Sequence, residues 1–178
     1  MTPSQVLAQF SEREKAERTE LIQKTNSQLS QRDYQGAEVS SRELVKKFSK
    51  DAFAHFLLGN VLYQQDKLED ALASYQQAVK LNQRYALAYN GMGLVYANQE
   101  RWDDALRQFR KALEINPEYG DALMYSGQVL LQINKPDEAI ASLNKALNIF
   151  KAQNRNDRVN RIEDLLRKIK QQDDPSIS

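Results

Sequence analysis

A step of 34 residues brings the middle of the chain into register with itself. It aligns Gly59 with Gly93 and Gly127, Ala71 with Ala105 and Ala139, and Ala78 with Ala112 and Ala146. The same step superposes Tyr75, Phe109 and Leu143, then Leu81, Ile115 and Ile149. Acidic pairs recur with it, as Glu69-Asp70, Asp103-Asp104 and Asp137-Glu138. No gap is needed anywhere. Such a period marks a chain built from stacked supersecondary units, each too small to bury its apolar face alone.

Inside each period the apolar residues keep helical spacing. Tyr89, Met92, Gly93 and Tyr96 follow i, i+3, i+4, i+7 and form one face. Their counterparts are His55, Leu58, Gly59 and Leu62, then Leu123, Ser126, Gly127 and Leu130. This face is expected to pack on the following helix. Gly93 would leave room for that helix's backbone, with Ala105 or Ala112 as the matching small residue. A helix-interior glycine costs about 0.5–1 kcal/mol, and close packing offsets it. A second face carries Leu87, Asn90, Leu94 and Ala97, and Gly91 lies between the two. With six Gly and four Pro in 178 residues, little turn chemistry is left for a β-rich fold. The fold class read here is all-α.

The stretch "YALAYNGMGLVYANQERWDDALRQFRKALEINPE" resembles a tetratricopeptide repeat nearly throughout. The resemblance implies a right-handed α-solenoid of helix–turn–helix units, of bacterial type. Clear repeats would span 52–85, 86–119 and 120–153. Residues 18–51 read as a degenerate first repeat, with Tyr34, Ala37 and Leu44 in register but Thr25 in the small-residue column. Residues 1–17 read as a helical extension, 154–173 as a capping helix with Asp157 as N-cap, and 174–178 as a tail. Arg155, Arg158 and Arg161 would give the cap a polar outer side.

The resemblance also implies a peptide-binding groove lined by the first helices. Carried across, its positions are Phe53, Phe56, Asn60, Tyr63 and Gln64, then Leu87, Asn90, Leu94 and Asn98. The last set is Asp121, Met124, Gln128, Leu131 and Gln132, and the degenerate repeat adds Ile22, Asn26 and Leu29. This is an apolar strip edged by amides, which can meet both donors and acceptors of a peptide backbone. One sub-family grips acidic chaperone tails through a basic clamp. The positions to compare here hold Phe56, Asn60, Gly91, Asp121 and Tyr125, of which only Asn60 fits. The clamp function is disfavoured, and Asp121 would repel a carboxylate.

Nothing reads as catalytic machinery. The acidic pairs recur at the starts of the second helices, where negative charge complements the helix dipole. His55, the only histidine, falls in a packing column, and Trp102 in a core column. With no Cys and no metal-spaced His cluster, no metal or cofactor is expected. A net charge of +1 argues against a general nucleic-acid binder. The basic residues Arg155, Arg158, Arg161, Arg167, Lys168 and Lys170 are interrupted by Asp157, Glu163 and Asp164, as on a solvated helix face. No apolar run is long enough to span a bilayer, and no signal peptide is legible. The reading is cytoplasmic, though a removed leader or anchor would leave no trace.

The function expected is non-catalytic: an adaptor or complex-assembly factor that binds a protein or peptide. Two alternatives stand beside it, a self-assembling scaffold and the regulatory part of a larger enzyme. At the N-terminus, "SEREKAERTE" (11–20) carries seven charges, with Glu14 and Arg18 placed to pair at i, i+4. Val6, Leu7 and Phe10 precede it on one helical side. These three are expected to dock on a neighbouring chain and give a homo-oligomer.

Overall fold

A computed structural model describes the backbone of residues 3–173 and the side chains of residues 11–171. Among the described residues there are nine helices and no strand. They form two compact units.

The first unit, residues 1–83, holds α1 (Pro3–Ser30), α2 (Tyr34–Lys47), α3 (Ala52–Gln64) and α4 (Leu68–Leu81). Each helix packs on the next. α1 runs unbroken through the 17/18 position, so extension and degenerate repeat share one helix. Residues 11–16 are exposed all round, whereas Leu21 and Thr25 are buried with Leu44, Ala54 and Leu57 close by. Thr25 takes the small-residue place, and its hydroxyl donates to the Leu21 carbonyl at 2.8 Å. Arg18 does not pair with Glu14. It reaches instead to Asp51 at 2.6 Å, a carboxylate that also caps α3 by accepting from the Phe53 N–H.

The second unit, residues 84–178, holds α5 (Ala86–Asn98), α6 (Trp102–Ile115), α7 (Gly120–Gln132), α8 (Pro136–Ala152) and α9 (Asn156–Asp173). α5 packs on α6, α6 on α7, α7 on α8 and α8 on α9. The 34-residue columns are its core. Ala105, Ala112, Ala139 and Ala146 are wholly buried, with Phe109 and Leu143 between them.

The glycine columns find a different neighbour from the one expected. A Cβ on Gly93 would lie 2.6 Å from Cδ1 and 2.9 Å from Cζ of Phe109. On Gly59 it would lie 2.6 Å from Cε1 of Tyr75. The missing side chain thus admits an aromatic ring of the second helix, not its backbone. At Gly127, where Leu143 replaces the ring, the Ala139 carbonyl is among the nearest atoms, at 3.2 Å.

One turn geometry closes every hairpin. Arg32, Asp66, Glu100 and Asn134 have φ between 57° and 59° and stand 34 residues apart. At each, the following N–H reaches back five residues, as Lys67 to the Leu62 carbonyl at 3.0 Å and Arg101 to Tyr96 at 2.9 Å. This is the Schellman closure, which usually carries glycine. Here none of the positions does. Glu100→Gly is therefore expected to stabilise the second unit by about 0.5–1 kcal/mol, the left-handed strain relieved less the added chain entropy. A thermal midpoint that falls instead would show that the Glu100 side chain contributes more than its backbone strain costs.

The fifth such turn falls out of step. Asn154 has φ 56°, and Arg155 N–H bonds to the Phe150 carbonyl at 2.9 Å. Earlier second helices stop at Leu81 and Ile115, followed by "NQRY" and "NPEY". α8 has no such linker and continues to Ala152. Asp157 is therefore the second residue of α9 and not its N-cap.

In the first unit a carboxylate ties three elements together. Glu38 on α2 accepts from Arg42 at 2.8 Å, from Lys67 at 2.7 Å and from Gln65 at 2.9 Å. Gln65 also donates to the Tyr34 carbonyl. The Lys67 hydrogen bond, helped by Arg42 and Gln65, holds the Glu38 carboxyl down at about 2. A depressed carboxyl stabilises the fold above its unfolded value, near 4.5, and that contribution is lost as pH falls towards 2. In Glu38→Gln the acid limb of unfolding, followed between pH 5 and 2, is expected to be shallower than in the wild type. Superimposable limbs would show that Glu38 carries no linkage.

Candidate interaction faces

In the first unit the face of α3 is held by a relay of side chains. The Asp51-bound Arg18 guanidinium lies 5.7 Å over the Phe53 ring. Phe53 and Phe56 sit tilted at 6.2 Å, and Phe56 and Tyr75 at 6.0 Å. The Tyr75 hydroxyl then donates to Asn60 Oδ1 at 2.9 Å. Phe53, Phe56, Asn60 and Tyr63 are half-buried, and Gln64 is exposed. Tyr75 spends its hydroxyl orienting Asn60, and the Asn60 amide nitrogen has no partner among the described residues. α1 adds Ile22 and Leu29, half-buried against the Leu21–Leu44 cluster, and exposed Asn26.

In the second unit the sequence-selected residues divide. Leu87 is 40% exposed and Asn98 is exposed. Leu94 is half-buried and packs on the Ala105–Phe109–Val129 cluster. Met124 does not present the apolar surface expected of it. It is wholly buried, in the cluster with Leu143, Phe150 and Ile162. Leu131 is half-buried against the same cluster, Gln128 is half-buried and Gln132 is exposed. Asn90 is 6% exposed, and its Oδ1 has no hydrogen-bond partner among the described residues.

Asp121 is not the bare acid that the sequence suggested. Arg155 Nη1 lies 3.4 Å from Oδ2 and Arg158 Nη2 3.2 Å from Oδ1. Arg158, with a side chain 23% exposed, therefore turns inward from α9 instead of lining its outer side. Burial, and then the charge of Asp121, push the Tyr119 phenol well above its ordinary value. A signal for this was present: Arg155 stands one 34-residue step beyond Asp121.

The remaining candidates are structural. His55 Nε2 donates to the Ser49 carbonyl at 3.0 Å. Trp102 packs half-buried on the Phe109 cluster. Among the described residues no group of His, Cys, Asp and Glu could hold a metal, and no helix is long and apolar enough to cross a membrane. The side chains of Val6, Leu7 and Phe10 lie outside the described residues.

Helical hairpins with a glycine under an aromatic ring, repeated every 34 residues, define a helical-repeat protein. Family profiles agree: a TPR repeat matches residues 59–100 and a tetratricopeptide repeat matches 84–152. The chain belongs to the tetratricopeptide repeat family, generally a non-catalytic protein-interaction fold. Among solved structures it is similar to MamA, at 26% identity and TM-score 0.66, covering 76% of this chain and 79% of that one. It is also similar to YrrB, a TPR protein with an unusual peptide-binding site, at 26% identity and TM-score 0.61, covering 74% and 68%. PilF of Pseudomonas aeruginosa shares the fold at 20% identity and TM-score 0.70, covering 87% and 77%. Comparison with curated proteins gave no match.

Proposed function

We propose that the chain is an adaptor or complex-assembly factor that binds a peptide or helical segment of a protein partner on the faces of its first helices. The observation that carries this is the α3 face. Phe53 and Phe56 are held in place by contacts with Arg18 and Tyr75, yet remain half-exposed beside an oriented amide. Rigid aromatic anchors with adjacent hydrogen-bonding groups suit side-chain burial and backbone recognition. Similarity to YrrB, itself peptide-binding, supports the reading.

The choice of test residues follows from the packing. Phe56 packs tilted against Tyr75 and Leu94 packs into a core cluster, so alanine at either would cost stability as well as binding. Asn60→Ala with Leu87→Ser removes an amide and an exposed apolar group. The expected fold penalty is about 1–3 kcal/mol, from the hydrogen bond that the buried Tyr75 hydroxyl loses. Quantitative affinity capture is expected to lose its specific partners in this variant while the far-UV circular dichroism is unchanged. An identical partner set in both proteins would overturn the proposal.

A further inference from the structure

The second unit contains a crevice of about 510 Å³ between α6, α7 and the start of α8. It shares no residue with the first-helix faces assigned above. Its character is visible in the repeat columns, because at the corresponding positions of the first unit a carboxylate bridges the cations. There Glu38 sits among Arg42, Gln65 and Lys67, and Leu58 of α3 is buried. Two repeat steps on, the same positions hold Leu106, Arg110, Ile133, Lys135 and Ser126. The two cations persist. The acid between them has become leucine, the glutamine isoleucine, and the buried leucine a smaller serine.

The consequences are both steric and electrostatic. Ser126 is 7% exposed, lines the crevice, and its hydroxyl has no hydrogen-bond partner among the described residues. Arg110 has no acid among the described residues. Lys135 keeps only Glu138, a neighbour three residues away across an exposed 2.9 Å contact. Arg107 adds a third cation, tied to Asp104, and Asp103 stands with Glu138 among the lining residues. The lining combines aliphatic Leu106 and Ile133 with three cations, of which Arg107 and Lys135 each hold a near neighbour's acid and Arg110 holds none among the described residues.

We propose that this crevice takes an acidic–aliphatic segment of a protein partner, its carboxylate standing where Glu38 stands in the first unit and its apolar side chain on Leu106 and Ile133. The crevice is open to solvent, so a small acid would stay largely wetted. A chain laid along it buries more surface. Arg and carboxylate form the stronger kind of hydrogen bond, which gives the site its charge preference.

The test uses the full chain and a randomised heptapeptide library on beads. Enriched sequences are expected to place Asp or Glu beside Leu, Ile or Val. The best of them should lose affinity about tenfold or more on Arg110→Ala and on Lys135→Ala. Leu106→Glu, which returns the internal acid, should block it as well. Leu87→Ser should leave it unchanged. Enrichment without a carboxylate would overturn the proposal, as would indifference to the Arg110 and Lys135 changes or loss on Leu87→Ser. Sodium 4-methylpentanoate binding as tightly as the peptide would overturn it too, by assigning the crevice to a small acid. Circular dichroism checks each variant, and Arg110→Ala, on the exposed surface, decides the matter if Leu106→Glu does not fold.

Discussion

Gly93→Leu is expected to lower the thermal midpoint by roughly 6–12 °C. The Phe109 ring is wholly buried and fills the space that the glycine leaves, so a Cβ alone would sit under 3 Å from ring carbons. A leucine needs that space and more. Forcing extra methylenes into a packed core costs about 1–3 kcal/mol, occasionally more, and for a chain of this length each kcal/mol moves the midpoint about 2–4 °C. The upper half of the range is expected because Ala105 and Ala112, on either side of Phe109, are also wholly buried and leave the ring little room. A pair with Phe109→Ala should recover part of the loss, since the cavity would accept the leucine. A midpoint unchanged in Gly93→Leu would mean that α5 moves off α6 at no cost, contrary to the packing described.

Phe150→Ala is expected to cost about 3–5 kcal/mol, the usual range for emptying a buried aromatic site. Phe150 is 1% exposed and lies in one cluster with Leu123, Met124, Val159, Ile162 and Ile169. Those last three are the buried side of α9, so the loss should fall first on that helix. Hydrogen exchange is expected to show α9 amides losing protection while α5 and α6 keep theirs, as locally coupled repeats allow. Uniform loss over the unit would show instead that α9 and the hairpins unfold as one.

Much of this fold was legible because packing repeats with the chain. The columns at Gly59, Ala71, Tyr75 and Ala78 recur, and a residue that meets the same neighbour three times leaves three copies of its signature. The identity of that neighbour was less legible. Gly93 announces a close approach, but a ring and a backbone both demand one. Met124 misled for a related reason, since periodicity gives an angle around α7 and not the depth at which that angle is covered. Arg158 was read as solvated because charges on a terminal helix usually are, whereas its partner Asp121 lies in another element. The crevice near Ser126 showed in no single repeat. It appears only when the carboxylate-bridged cations and their unbridged counterparts are compared, and that needs coordinates to show what Glu38 touches.

The displaced turn at Asn154 bears on how such an array could lengthen. Because α8 runs through the place of a linker and folds straight back into α9, a further 34-residue block joined after it would enter out of phase. Phe150, now core, would have to become the first residue of a loop. A block copied between residues 119 and 120 meets no such obstacle, since "NPEY" already hands one hairpin to the next and the donor and acceptor surfaces there are of the same kind. Growth by internal duplication therefore conserves every existing contact of α8 with α9, whereas growth by addition at that end must first dismantle them.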